Sequence, residues 1–311
     1  MRRLVAEARL SVDDLVAPLF VREGLEDAAP IPAMPGQCQH SLGSLVVEAK
    51  RLASLGVPGL LLFGVPGTKD PTGSGASDPD GIAQRALRAL RDTLGDTTVL
   101  MADLCLDEYT DHGHCGVLSA DGSVDNDATL ERYAEVALAQ AGAGADVVAP
   151  SGMMDGQVAA IRGALEGGGH PGTAILSYAS KYASALYGPF RHAVDVTIAG
   201  GGDRRAYQQD VANRRESIAE VVLDVAEGAD MVMVKPAMTS LDVLAEVRRT
   251  VDVPVAAYHV SGEYSMVRAA AERGWVDGPA VALEQLTALK RAGADFVVTY
   301  FAADLAEHLG G

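Results

Sequence analysis

The chain has 311 residues, of which 48% are hydrophobic and 22% charged, and this balance excludes a disordered protein. Its 25 basic and 42 acidic residues give a formal net charge of −17, which excludes an electrostatic surface for nucleic acid. The longest run without polar side chains, residues 55–67, is interrupted by glycine and proline. It is also shorter than the roughly 20 residues that span a bilayer. We therefore expect no nucleic-acid partner and no membrane partner.

The N-terminal residues and the cysteine content bear on the location of the protein. Glu7, Asp13 and Asp14 interrupt any apolar segment that an export signal would need. Three cysteines are too few for a disulfide framework in a chain of this length, which favours a reducing compartment. We expect a cytoplasmic protein.

Eight short apolar segments rich in Val, Ile, Leu and Phe recur along the chain, as is typical of parallel strands that are buried on both faces. The predicted strands are residues 15–21, 58–65, 97–104, 145–151, 174–178, 231–235, 253–260 and 296–301. Helical periodicity between them predicts helices at residues 45–55, 82–94, 130–141, 157–165, 218–226, 241–247 and 281–292. Gly144, Gly228 and Gly293 are each followed by Ala-Asp and a strand, which predicts left-handed helix ends there. This alternation predicts a closed (β/α)8 barrel, with an open doubly wound sheet as the alternative.

Residues 1–14 precede the first strand, and we expect them to form a short N-terminal arm outside the barrel. Because no Pro/Ser-rich linker divides the rest of the chain, residues 15–311 are expected to form a single barrel domain. Two long connections, residues 67–81 and 188–213, lack a clear helix or strand pattern. Connections of that length are usually functional or mobile.

Lysine is rare in this chain: of the 25 basic residues, five are lysines and 20 are arginines. Lys181 follows the fifth predicted strand, and Lys235 ends the sixth. Active sites of such barrels lie at the C-terminal ends of the strands, so both ammonium groups are expected at one mouth, where burial and mutual repulsion lower their pKa. A neutral amine is what Schiff-base chemistry with a ketone requires. The alternative is that each lysine forms a surface salt bridge.

A stretch rich in potential metal ligands, residues 103–116, begins at the end of the third predicted strand and continues into the following loop. Cys105 and Cys115 flank Asp107, His112 and His114, and this set is suited to a tetrahedral metal site with an open position. The alternative is that the two cysteines are small buried hydrophobic residues.

Polar residues near other strand ends complete the candidates. Arg191 and Arg204 lie in the long connection after Lys181 and are suited to binding a carboxylate in a bidentate manner, with a solvated surface loop as the alternative. Ser261 and Tyr300 lie near the ends of the seventh and eighth strands. A lone residue at such a place is more often packed than catalytic.

Eight long motifs resemble a known family, the 5-aminolevulinate dehydratases, also called porphobilinogen synthases. The motifs are LFGVPGTKDPTGSGA (62–76), DLCLDEYTDHGHCG (103–116), APSGMMDGQV (149–158), SYASKYASALYGPFR (177–191), GDRRAYQQDVANRRE (202–216), MVMVKPAMTSLD (231–242), PVAAYHVSGEY (254–264) and RAGADFVVTYFA (291–302). The resemblance covers essentially the whole chain. It implies a lyase with a TIM barrel fold and no organic cofactor. Its reaction would be the condensation of two molecules of 5-aminolevulinate to porphobilinogen, with loss of two waters, in tetrapyrrole (haem) biosynthesis.

The resemblance also implies roles for individual residues. Lys235 would form a Schiff base with the first substrate molecule, Lys181 would bind the second, also through a Schiff base, and Asp103 would assist proton transfers. Ser261 and Tyr300 would hold the carboxylate of the first substrate.

The second carboxylate would be bound by Arg191, Arg204 and Gln208, which belong to a mobile lid at residues 191–213. Closure of this lid would exclude water from the site.

The metal-binding residues depart from the pattern of the family. Its zinc-using members have three cysteines in the loop, whereas zinc-independent members have alanine and aspartates. This chain keeps Cys105 and Cys115 but has Asp107 in place of the middle cysteine. We expect these three residues to bind Zn²⁺, which accepts a carboxylate oxygen, with weaker zinc binding or a different divalent ion as the alternative. Glu220 aligns with a glutamate that binds an activating Mg²⁺ in some members. Gly152 stands where the family usually has an aspartate, and the effect of this change is open.

The resemblance implies a homo-octamer in which N-terminal arms wrap neighbouring barrels, and because the arm is short here, smaller homo-oligomers are the alternative. Two other functions stay open. A Schiff-base (class I type) aldolase with another carbonyl substrate would share a strand-end lysine, and a catalytically silent barrel would share the fold alone. Two adjacent lysines together with carboxylate-binding arginines favour the condensation over both.

Overall fold

In a computed structural model, which describes residues 1, 4–198 and 202–310, the apolar segments form a closed parallel barrel. The strands are β1 (Leu15–Arg22), β2 (Ala29–Pro30), β3 (Cys38–His40), β4 (Gly59–Val65), β5 (Val99–Leu104), β6 (Val147–Pro150), β7 (Ala174–Lys181), β8 (Met231–Lys235), β9 (Val255–His259) and β10 (Phe296–Thr299). Eight of them, β1 and β4 to β10, pair with their neighbours in chain order, and β10 pairs back to β1. The predicted (β/α)8 barrel is confirmed.

The short strands β2 and β3 lie outside the eight predicted segments. β3 pairs in parallel with the C-terminal part of β1, through Phe20 and Val21, and β2 pairs antiparallel with β3. Both are too short to show the apolar pattern on which a strand prediction depends.

Helices surround the barrel, and in the described residues none has the length and apolar character needed to cross a membrane. They are α1 (Leu42–Ser54), α2 (Ile82–Leu94), α3 (Asn126–Gly142), α4 (Gln157–Gly167), α5 (Gly188–Ala193), α6 (Arg215–Glu227), α7 (Leu241–Thr250), α8 (Ser261–Glu272), α9 (Gly278–Ala292) and α10 (Ala302–Gly310). The helices α5, α8 and α10 have no counterpart in the sequence prediction. α5 lies in the long connection that showed no regular pattern.

Local sequence explains where several helices begin and end. The side chains of Ser41, Asp125 and Asp277 accept hydrogen bonds from backbone N–H groups in the first turns of α1, α3 and α9. Gly228 and Gly293, with φ of 108° and 117°, end α6 and α9 in the left-handed conformation that the sequence predicts.

The strand interiors and the N-terminal residues contrast in burial. Every residue of β4 is buried, because its side chains face either the barrel interior or the surrounding helices. Leu4 and Val5 are exposed, and the N-terminal residues contact the barrel through an ion pair of 2.9 Å between Asp14 Oδ1 and Lys290 Nζ of α9. Arg2 and Arg3 lie outside the described residues. The division into arm and barrel stays a prediction.

An irregularity in β7 aligns the two lysines. Between Ser177 and Ser180, β7 contains one more residue than the facing segment of β8. Beyond this bulge, Lys181 lies directly opposite Lys235 in the strand register. Because directly opposite residues of paired strands have side chains on the same face of the sheet, the bulge brings the two amines together.

Candidate active site

Lys181 and Lys235 line one cavity at the C-terminal ends of β7 and β8, and each is 5% exposed. Four further candidates line the same cavity, namely Asp103, Asp107, Arg191 and Arg204. Its volume is about 20 Å³, which is room for about one water molecule and not for an organic substrate. A substrate can therefore enter only if the covering segment moves.

Aromatic rings surround the amine of Lys235. The rings, with the distances of their centres from Nζ, are Tyr258 (4.3 Å), Tyr178 (5.0 Å), Phe190 (5.2 Å) and Tyr187 (5.3 Å). Burial and, to a lesser degree, the positive charge of Lys181 lower the pKa of Lys235 to about 7, although nearby carboxylates oppose the shift. A substantial fraction of this amine is therefore neutral near pH 7, as nucleophilic attack on a carbonyl requires.

Lys181 and Asp103 are connected through Ser151. The Lys181 ammonium donates a hydrogen bond to the Ser151 carbonyl oxygen, and the Ser151 hydroxyl donates to Asp103 Oδ2 over 3.1 Å. Burial raises the pKa of Asp103 to about 6, although the charges of Lys181 and Lys235 oppose the rise. A carboxyl group with such a pKa is suited to both donating and accepting a proton near neutral pH.

The predicted metal ligands also lie together. Cys105, Asp107 and Cys115 are all buried, and one ligand atom from each lies within 4.8 Å of the other two. Among the residues that the structure describes, this is the only group of three or more His, Cys, Asp or Glu side chains whose ligand atoms lie so close together. Two thiols and a carboxylate form a donor set that Zn²⁺ accepts with an open fourth position, so the residues present fit a zinc ion.

Glu220, the predicted magnesium ligand, lies elsewhere, on α6. Burial raises the pKa of its half-buried carboxyl, and the negative charges of Asp155, Glu216 and Glu227 raise it further. No described group of three close ligands includes Glu220. Its role stays a prediction.

The predicted lid covers the cavity, although residues 199–201 within it lie outside the described residues. Arg204 is buried and forms an ion pair of 2.8 Å with Asp107. The buried Nε of Arg191 and Nε2 of Gln208 have no hydrogen-bond partner among the described residues. Such unpaired donors cost free energy when buried, and the carboxylate of a ligand would satisfy them.

Ser261 and Tyr300 lie one layer behind the cavity. The Ser261 hydroxyl accepts a hydrogen bond of 3.0 Å from the backbone N–H of Phe190, whose ring lines the cavity. The Tyr300 hydroxyl lies 3.1 Å from the hydroxyl of Tyr258, whose ring packs on Lys235. Neither residue lines the cavity itself in this closed state.

The sequence analysis did not single out several residues that line the cavity. They are Phe63, Glu108, Ser151, Tyr187 and Phe190. Ser151 directly follows β6, so the rule that active-site residues follow strand ends would have identified it. Tyr187 and Phe190 lie in the segment after β7 and approach Lys235, and Phe63 of β4 packs on Phe190 at 5.1 Å between ring centres. These contacts depend on distant parts of the chain.

The structure explains why position 152 is occupied by glycine. A Cβ atom at this position would lie 1.6 Å from the hydroxyl oxygen of Tyr133, which is fully buried. The Tyr133 hydroxyl donates a hydrogen bond of 2.7 Å to the carbonyl oxygen of Cys115 and lies 3.9 Å from Cys105 Sγ. The phenol therefore fills the space that a side chain at Gly152 would need.

The chain is similar to known proteins along almost its whole length. The family model described as "Delta-aminolevulinic acid dehydratase" matches residues 1–308. A protein of that name from Streptomyces coelicolor is 58% identical over 311 residues, which are 99% of this chain and 94% of the relative. One from Mycobacterium tuberculosis is 56% identical over 308 residues, which are 98% of this chain and 93% of the relative.

A solved structure is similar throughout. It is the delta-aminolevulinic acid dehydratase (porphobilinogen synthase) of Toxoplasma gondii in complex with the reaction product porphobilinogen. The TM-score is 0.97 at 43% identity, and the match covers 99% of this chain and 88% of that one.

Proposed function

The chain belongs to the delta-aminolevulinic acid dehydratase family, and from this premise we propose how its residues divide the work of the reaction. Its activity is that of a porphobilinogen synthase, a hydro-lyase that condenses two molecules of 5-aminolevulinate to porphobilinogen and releases two waters. The observation that carries the assignment of roles is the pair of buried lysines on one cavity.

Lys235 forms the Schiff base with the first substrate. Its neutral amine adds to the keto carbon, a proton transfers to the oxygen, and the resulting carbinolamine loses water as the C–O bond breaks. Asp103, with a pKa of about 6, supplies the proton that the leaving hydroxyl needs. The iminium that remains withdraws electrons from the adjacent carbon and so activates it for bond formation.

Lys181 binds the second substrate through its keto group. Its register opposite Lys235 holds the two substrates side by side, which replaces a bimolecular encounter by a reaction between positioned groups. Ser151 positions Lys181 and Asp103 at the same time, because it contacts both.

The substrate carboxylates bind at the edge of the cavity. Arg191 and Gln208 each have a buried, unpaired donor that suits the second carboxylate. Arg191 and Arg204 line the cavity and give it positive charge, whereas Gln208 lies outside its lining in the closed state. Ser261 and Tyr300 take the first carboxylate once the site has opened, since a substrate does not fit the closed cavity.

We assign Zn²⁺ to Cys105, Asp107 and Cys115, which offer the ligand set described above. A zinc ion bound there would act as a Lewis acid toward the second substrate or its leaving water. Glu220 is assigned to an activating Mg²⁺, and the assembly to a homo-octamer, with smaller homo-oligomers as the alternative. The cytoplasm is assigned because all three cysteines are free thiols.

The roles of the lysines are tested by trapping. The protein is incubated with 5-aminolevulinate and reduced with borohydride, the adduct is mapped by mass spectrometry, and the pyrrole product is measured in a parallel sample without reductant. An adduct on Lys235 together with pyrrole supports the proposal. An adduct without pyrrole supports an aldolase that uses another carbonyl substrate, and the absence of both supports a silent barrel.

A further inference from the structure

The lid and the metal-binding loop, residues 105–115, contact each other at several points. The backbone of Gly113 packs so closely on the lid that a Cβ atom there would lie 2.6 Å from the carbonyl oxygen of Thr197. Its φ of +73° also favours glycine. The Arg204 guanidinium donates a hydrogen bond of 2.8 Å to the Gly113 carbonyl oxygen. The lid therefore lies directly on the loop that contains the metal ligands.

Two lid side chains reach the ligands themselves. Arg204 pairs with one carboxylate oxygen of Asp107, Oδ2, at 2.8 Å. The Tyr207 hydroxyl accepts a hydrogen bond of 3.3 Å from the backbone N–H of Cys115 and lies 3.0 Å from Nδ1 of His114. Two of the three ligand residues are thus held from the lid, one through its side chain and one through its backbone.

This arrangement fixes the orientation of a metal ligand. The Arg204 guanidinium contacts the Asp107 carboxylate and the Gly113 carbonyl oxygen, each at 2.8 Å, so one lid side chain holds both the ligand and the backbone of its loop. Outer-shell partners that orient a ligating carboxylate in this way strengthen metal binding. With the lid closed, Arg204 is such a partner for Asp107.

We propose that Arg204 and Tyr207 are positioning residues for the metal ligands, so that closure of the lid and binding of the metal stabilise each other. This inference rests on the metal assignment in the proposed function. It gives Arg204 a role beyond the carboxylate clamp, because in the closed state its partner is a metal ligand. By linkage, the factor by which lid closure tightens metal binding equals the factor by which the metal favours closure.

The metal side of this coupling is tested by the affinity for Zn²⁺, measured by competition with a coloured chelator on protein that contains no substrate. Removal of an outer-shell partner weakens metal binding by about 10- to 100-fold. We expect a loss in this range for Arg204→Gln, a partial rescue by Arg204→Lys, and a smaller loss for Tyr207→Phe, which removes one hydroxyl only.

Arg205→Gln is the matched control, since this neighbouring side chain is 81% exposed and pairs only loosely with Asp203, at 3.5 Å. Its affinity for Zn²⁺ is expected to equal that of the unaltered protein. The bands of bound Co²⁺ in the visible spectrum provide a second reading, because they report the ligand set directly. Arg204→Gln should change them and Arg205→Gln should not.

The lid side is tested by hydrogen exchange of residues 202–213 with and without Zn²⁺. The metal should slow exchange in the unaltered protein, and Arg204→Gln should reduce this effect. An unchanged or higher Zn²⁺ affinity in Arg204→Gln would overturn the proposal. If that variant does not fold, an unchanged affinity and lid exchange in Tyr207→Phe overturn it. Product formation, measured separately, distinguishes failure of the activity from failure of the coupling.

Discussion

The two sides of the cavity bury charged groups to a similar degree but differ in protonation. Lys235 is 5% exposed and surrounded by rings, and burial together with Lys181 lowers its pKa to about 7. Asp107 is 4% exposed, yet the Arg204 guanidinium keeps its pKa far below the usual range against the effect of burial. Burial therefore favours the neutral form of Lys235, whereas the ion pair with Arg204 preserves the charge of Asp107 against burial.

This difference matches the chemistry that each side supports. An amine must be neutral to attack a carbonyl, whereas a carboxylate must be charged to bind a metal. Lys235 is fixed at the end of a strand among aromatic side chains, while Asp107 lies on a loop that a lid arginine can reach. Substitutions on either side can break or sharpen this contrast.

The largest effect is expected from Lys235→Ala. Without the amine no Schiff base forms with the first substrate, and we expect porphobilinogen formation to fall by roughly 10⁴-fold or more. Circular dichroism and thermal unfolding should show a folded protein. Lys50→Ala removes an exposed lysine and serves as the control with normal turnover. Near-normal turnover of Lys235→Ala would show that another residue is the nucleophile.

Asp107→Asn tests the charged side. It leaves the buried Arg204 without its anionic partner, and breaking a buried pair in this way costs about 3–5 kcal/mol of unfolding free energy. Urea unfolding after treatment with a chelator measures this loss without a metal contribution. Asp96→Asn is the control, because Asp96 is fully exposed and its pair with Arg91 should contribute little to stability. Equal losses of unfolding free energy in both variants would show that the buried ion pair contributes no more to stability than the exposed one.

Lys235→Met tests the neutral side through the pH dependence of stability. The lowered pKa means that between about pH 7 and the ordinary value near 10.4 the unfolded chain binds a proton that the folded chain does not. The free-energy cost of burying this lysine therefore falls as the pH rises, by up to about 1.4 kcal/mol per pH unit.

Methionine carries no such cost, so Lys235→Met should be more stable than the unaltered protein. Its advantage should be about 2 kcal/mol larger at pH 7 than at pH 9. Urea unfolding of both proteins at the two pH values measures it. An advantage that does not change with pH would mean that Lys235 stays protonated when buried.

Much of the fold and of the site could be predicted from sequence because it depends on local patterns. The apolar runs locate the eight barrel strands to within a few residues, and the rule about strand ends brings Lys181 and Lys235 to one mouth. The sequence prediction ended the fifth barrel strand at Tyr178, whereas β7 continues to Lys181. The bulge after Ser177 accounts for this difference, because it depends on pairing with β8.

Contacts between distant segments could not be predicted in this way. Nothing in the local sequence indicates that Arg204 faces Asp107, or that Tyr133 occupies the space beside Gly152. The first contact forms only when the lid packs on the loop after β5, and the second only when α3 packs on the segment after β6. The resemblance to a family supplied candidate roles for single residues, but not the pairs in which they act.

The smallest effect is expected from Lys181→Met, which separates the two causes of the low pKa of Lys235. Burial is the larger cause and remains in this variant, whereas the repulsion from Lys181 is lost. The pKa of Lys235 should therefore rise toward its ordinary value. At a pH well below that pKa, each unit of increase in the pKa reduces the neutral fraction of the amine by about tenfold.

The measurement is the rate at which cyanoborohydride traps the first substrate on Lys235. We expect a several-fold lower rate at pH 7 in Lys181→Met and recovery of the rate by pH 9, where the neutral amine is again abundant. Lys50→Met, at an exposed position, should leave the rate unchanged at both pH values. If Lys181→Met also leaves the rate at pH 7 unchanged, the aromatic surroundings alone keep Lys235 neutral, and the second lysine acts only on its own substrate.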